Sequence, residues 1–145
     1  MPVFDVAREY RPGDPQDMLI RNARFGTALA KQFVTRGLWE TLFSAENPNP
    51  LVPRHNVVLM SRHGYTTHGR DIETAVYRAI YTKVNAEAQT KAITLQKAFD
   101  SSVTLNFMSS AMCQGCLKMN EGTQDKPWLL WKKEVENSTL YTNKG

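Results

Sequence analysis

The chain has 145 residues, 41% of them hydrophobic and 22% charged, with a formal net charge of +4. Such values sit near the globular average and exclude an intrinsically disordered chain; they describe one domain, 1–145, able to bury roughly 68–70% of its unfolded surface. The basic residues are dispersed, with no run longer than Lys132-Lys133, which argues against nucleic acid as a partner.

In chain order, residues 3–7 read as a short strand with Phe4 and Val6 on one face and Asp5 on the other. Arg11-Pro12-Gly13 is a turn, and Asp14-Pro15 supplies an N-cap acceptor with proline at the first helical position. Met18, Phe25, Leu29 and Phe33 follow at helical spacing. Gly26 falls inside that helix at a penalty of about 1 kcal/mol against alanine, which predicts close backbone packing there.

Three prolines within 47–53 mark a loop. Val57-Val58-Leu59-Met60 is an unbroken apolar run, the pattern of a strand covered on both faces. His63-Gly64 and the segment 65–69 then read as a tight turn. Asp71 opens the longest helix, predicted to about residue 98, with an apolar stripe through Ile72, Val76, Ile80, Val84, Leu95 and Phe99. A shorter helix is expected over 109–119 and a last one from Asp125-Lys126-Pro127, with Trp128, Trp131 and Val135 on one side. About three strands against several helices is too few for a complete covered sheet, so another chain completes the sheet or the fold is cut down.

No 18-residue apolar stretch exists, and the N-terminus lacks a basic region followed by an apolar core. A membrane partner and a secretory signal are therefore not expected, and the cytoplasm is the expected compartment. Cys113 and Cys116 are spaced C-x-x-C inside a predicted helix, where a redox motif would want a preceding strand. They read as structural thiols.

Residues 56–75, with the strand ending Ser61-Arg62-His63-Gly64, a turn ending in Gly69 and a helix beginning Asp71-Ile72-Glu73, resemble the second half of the class II aldolase/adducin family. Pro2-Val3-Phe4, the segment from Asp17 to Ala30 and the ending from Pro127 to Tyr141 are similar to it as well, the last to its fungal members. The resemblance implies an α/β/α sandwich around a mostly antiparallel sheet, truncated at the N-terminus, and usually an oligomer. It also implies a divalent metal such as zinc, held by a His-x-His pair and by one histidine matching His63, and enediolate chemistry next to a carbonyl. The His-x-His pair is missing: the histidines are His55, His63 and His68.

His63 therefore has three readings: a metal ligand, a general acid or base without metal, or a buried histidine bonded to the backbone. His68, five residues on, joins it only if the turn folds back; His55 lies at the other end of the strand, too far away. Tyr65 is expected to face what His63 faces, either as a donor to a developing oxyanion or as a plain strand aromatic. Arg62 should point to the opposite face. Tyr141 is either a tail residue reaching a neighbouring subunit's cleft or a tail anchor. Trp128, Trp131, Tyr77 and Tyr81 read as packing.

The catalytic candidates are thus His63, Tyr65, His68 and Tyr141. The leading expectation is an aldolase-like enzyme of specialised biosynthesis acting on a small carbonyl substrate, a lyase or isomerase without a cofactor. One alternative is a zinc- or other metal-dependent lyase whose ligands another chain completes; the second is a non-enzymatic interaction module. An exposed sheet edge predicts a homo-oligomer under all three.

Overall fold

The computed structural model describes residues 1–34, 53–99, 102 and 106–142. The loop expected over 47–53 lies, apart from Pro53, outside them. The chain divides into two compact units, Met1–Gly69 and Arg70–Gly145.

In the first unit, β1 (Val3–Phe4) is only two residues long. It stops because the Asp5 side chain accepts from the Ala7 N–H and caps a 3₁₀ turn, Val6–Glu9. Phe4 and Val6 are both buried, as the alternation predicted, but Val6 is buried from the turn. Helix α1 (Ala23–Phe33) begins later than Asp14-Pro15 suggests. Asn22 is its N-cap, accepting from the Phe25 N–H at 3.0 Å. Asp14 is taken by other partners: it accepts from the Arg11 N–H at 2.7 Å and from the Arg24 guanidinium. Those two donors hold its carboxyl below the ordinary carboxylate range.

Strand β2 (Val57–Met60) runs parallel to β1, with Val3 opposite Leu59 and Phe4 opposite Met60. The segment after His63-Gly64, expected as a turn, forms a third strand, β3 (Gly64–Thr67), antiparallel to β2. Its register pairs Val58 with Thr66, Leu59 with Tyr65 and Met60 with Gly64. Side chains directly opposite share a face, so Val58, Met60 and Thr66 lie on one side and Leu59 and Tyr65 on the other. The first side is the core: Val58 and Met60 pack with Phe4, Val6, Phe25 and Phe33 of α1.

The second unit begins where Asp71 caps α2 (Ile72–Phe99), accepting from the Thr74 N–H at 2.7 Å. At 28 residues it is about 42 Å long. Thr82, Thr90 and Thr94 return their hydroxyls to carbonyls one turn back. Helices α3 (Ser110–Glu121) and α4 (Asp125–Asn137) follow, α3 capped by Ser109. Tyr77, Tyr81 and Trp131 form an aromatic cluster, the two tyrosine rings 4.5 Å apart. Burial, and to a lesser degree Tyr81, pushes the Tyr77 phenol above its ordinary range.

The apolar stripe read along α2 does form one continuous helix, but it does not become core. Ile72, Val84, Leu95 and Phe99 are 74%, 48%, 58% and 86% exposed. The most buried side chains described in this unit are polar: Thr74 and Gln124, joined by a 2.9 Å bond from the Gln124 amide to the Thr74 hydroxyl.

These elements correct the expected sandwich. Among the described residues, helices of 11, 28, 12 and 13 residues stand against strands of two, four and four. The sheet is mixed, ordered β1-β2-β3. The fold is helix-rich with a small sheet, not an α/β/α sandwich around a mostly antiparallel one. The physical reason is local: Asp5 ends β1, and the chain after β3 is captured at once by the Asp71 cap.

Candidate active site

The hairpin decides where each candidate side chain lies. Met60 to His63 is a tight turn closed by the His63 N–H to the Met60 carbonyl at 3.1 Å. Arg62 sits at φ 61°, a left-handed conformation costing a non-glycine residue roughly 1–2 kcal/mol. Its guanidinium donates to Asp5 at 2.8 Å, pinning the turn to the start of the chain. That bond holds the Asp5 carboxyl below the ordinary carboxylate range. His63 is exposed on this turn. It is therefore not the buried, backbone-bonded histidine that one reading expected.

His68 stands at the other end of β3, where its N–H donates to the Asn56 carbonyl at 3.0 Å. Five residues of extended chain separate it from His63, on the order of 15 Å. The two imidazoles do not converge. Among the described residues, no three His, Cys, Asp or Glu side chains come together in a way that would hold a metal ion. Tyr65 pairs with Leu59 on the sheet face opposite the core, whereas His68, just past the end of β3, is on the side of α1 and is exposed, as His63 is. Tyr141 belongs to the second unit and is 65% exposed. Within the first unit, His63, Tyr65 and His68 thus do not form one constellation.

The structure instead brings His68 to α1. Its ring lies 6.2 Å from that of Phe33, tilted by 53°. The Phe33 carbonyl accepts from the N–H groups of both Arg54 and His55, at 2.8 and 3.1 Å. The end of α1, the entry to β2 and the exit of β3 are thereby tied together. Beside them lies an open cleft of about 920 Å³, lined by Gly26, Thr27, Leu29, Ala30, Lys31, Phe33, Val34, Pro53, Thr67 and His68. That volume is at the upper end of the range for small-molecule sites, and an apolar lining with few polar groups is their usual make-up.

Two small residues one helical turn apart, Gly26 and Ala30, line the cleft. Among the described residues, the close packing that the position of Gly26 suggested is not seen. A Cβ placed there meets no heavy atom within 4 Å among the described residues. Lys31 is the cation of the lining and His68 the group able to move a proton, with Phe33 adding apolar surface.

Sequence reasoning named His68 but missed Gly26, Lys31 and Phe33. The available signal was a helix face carrying Gly26, Ala30 and Phe33 at i, i+4 and i+7, small residues followed by a large aromatic. A second cleft of about 430 Å³ lies between Glu9 and α1. Its arginine, Arg24, is committed to Asp14 and to the Glu9 carbonyl.

No family model matches the chain, and no solved structure matches it. The chain is 37% identical over 147 residues to a protein described as "Decarboxylase tropJ", from the fungus Talaromyces stipitatus. The match takes in 99% of this chain and 51% of that protein. The chain thus spans about half the length of the curated relative it matches. Among the described residues, no helix is long and apolar enough to cross a membrane.

Proposed function

We propose that this chain serves a small-molecule lyase of fungal-type specialised biosynthesis, which removes a carboxyl group next to a carbonyl or an equivalent electron sink. The observation that carries the reading is the 37% identity to a decarboxylase along 99% of the chain. The resemblance of residues 56–75 to the aldolase/adducin family points to related chemistry. Retro-aldol cleavage and decarboxylation both break a carbon–carbon bond and leave an electron pair beside a carbonyl, as an enolate. Each then needs a donor to return a proton to carbon.

The cleft beside α1 suits that task. Lys31 offers a cation for the substrate carboxylate, and the apolar surface around Phe33 takes the rest of the molecule. As the carboxylate loses its contact with water, the electron pair of the breaking carbon–carbon bond passes to the carbonyl as an enolate and CO₂ leaves neutral, a dispersal of charge that desolvation favours. His68 then delivers the proton to carbon as general acid. Tyr65, on the opposite sheet face, takes no part in this reading. Self-association belongs to it: the apolar residues exposed along α2 are of the kind that a second copy would cover.

A second reading rests on the coverage of 51% of the relative and on the exposed position of His63. Here the turn fixed by Arg62 and Asp5 presents His63 to a metal site completed by another polypeptide, giving a divalent-metal-dependent lyase.

The test is labelled CO₂ release from a panel of β-keto and hydroxyaryl carboxylic acids, by the full chain and by Gly26→Phe. The first reading expects release by the wild type and its loss when phenylalanine fills the cleft. Release unchanged in Gly26→Phe would remove the cleft from the chemistry.

A further inference from the structure

The two cysteines are the chemically reactive side chains that the account so far leaves unused. They were expected to be structural thiols, and the structure places both on the exposed surface of α3, neither in a disulfide. That is unusual, because free cysteine is among the most buried residue types. Cys113 and Cys116 are three residues apart on one helix, which sets their Cβ atoms roughly 5–6 Å from each other on the same face. Two thiolates each about 2.3 Å from one ion can be reached from that separation by ordinary rotamers. Among the described residues the polar contact at the pair is weak, the Cys113 thiol donating to the Met108 carbonyl at 4.0 Å.

The same stripe carries two thioethers. Met112 precedes Cys116 by four residues and Met119 follows it by three, and they are 58% and 57% exposed. An exposed surface holding two thiols between two thioethers is a soft donor set. The harder donors are missing: among the described residues, no third His, Cys, Asp or Glu joins the pair. Zinc takes four nitrogen, sulfur or carboxylate ligands and gains little from a thioether. A monovalent soft ion such as Cu(I) is satisfied by thiolate and thioether sulfur.

We propose that Cys113 and Cys116, with the thioether of Met112 or Met119, form a surface site for Cu(I). Binding forms two S–Cu bonds and releases two thiol protons to water, with no change in the oxidation state of sulfur or metal. The site is independent of the cleft beside α1.

The test is competition for Cu(I) supplied as its bathocuproine disulfonate complex, under anaerobic reducing conditions, followed by the loss of the chelator's colour. The full chain is expected to withdraw about one Cu(I), and Cys113→Ser/Cys116→Ser to withdraw less than about a tenth as much. Both cysteines are exposed, so the variant should keep its far-ultraviolet circular dichroism. Replacing both methionines by leucine should weaken the competition several-fold while leaving the stoichiometry intact. Equal withdrawal by the serine variant would overturn the site. So would stoichiometric retention of Zn(II) by the wild type through desalting, since it would require harder donors.

Discussion

Replacing Gly26 by alanine separates the two accounts of that glycine, close packing and an open cleft. A glycine inside a helix costs about 0.8–1.0 kcal/mol relative to alanine, because its backbone loses more freedom on folding. The cost is recovered only where the new methyl group has room. At Gly26 the added Cβ has no heavy-atom neighbour within 4 Å among the described residues, so no clash offsets the gain. Gly26→Ala should therefore stabilise the chain by up to about 1 kcal/mol. For a unit of this size that is a rise of roughly 4–8 °C in Tm, and a higher urea midpoint with an unchanged slope. Urea unfolding followed at 222 nm is the assay. A loss of stability in Gly26→Ala would refute the reasoning, because it would mean that something packs directly on the glycine.

The Thr74 hydroxyl accepts from the Gln124 amide and donates to Asp71, so Thr74→Val should cost about 1–3 kcal/mol by leaving a buried amide unpaired; Thr74→Ser should recover most of it in the same unfolding assay. Thr74, through its hydroxyl and then its backbone N–H, holds the Asp71 carboxyl below its ordinary range. Arg62 does the same to Asp5. With folded-state values depressed, these carboxylates stabilise the fold above the unfolded carboxylate pKa, near 3.9, and the contribution disappears as pH falls through the lower folded values. Tm should drop between pH 5 and 2, and Asp71→Asn, which keeps a capping oxygen but no charge, should flatten that drop. No flattening would mean that the cap is not charge-dependent.

How much of this was legible in the sequence depends on how local the signal is. The start of α2 at Asp71 and of α3 after Ser109 could be read because a cap is written in three or four adjacent residues; α4 starts at Asp125 as read, although Gln124 before it makes no side-chain cap. The same logic failed at Asp14-Pro15. There the carboxylate is claimed by Arg24, ten residues away, a contact that no local pattern reveals. Strand β3 was missed because Gly64-Tyr65-Thr66-Thr67 is too short to show a period, and it becomes a strand only by pairing with β2.

The candidate site suffered from that same miss. Without the hairpin register, His63 and His68 look like neighbours across a turn; with it, they occupy opposite ends of a strand. Gly26 illustrates a further limit. A glycine in a helix signals either a close approach or a vacancy, and only the surroundings distinguish the two. The α2 stripe and the cysteine pair show that periodicity predicts a shared face but not what covers it.

The central claim is that His68, in the cleft beside α1, carries the proton transfer. The most direct measurement is labelled CO₂ release by His68→Ala and His63→Ala side by side, with bound metal quantified in each purified protein. The account predicts a loss of about 10²–10⁴-fold in His68→Ala and near wild-type release in His63→Ala. Loss of activity in His63→Ala, together with loss of a stoichiometric metal, would contradict it and establish the metal-dependent reading instead.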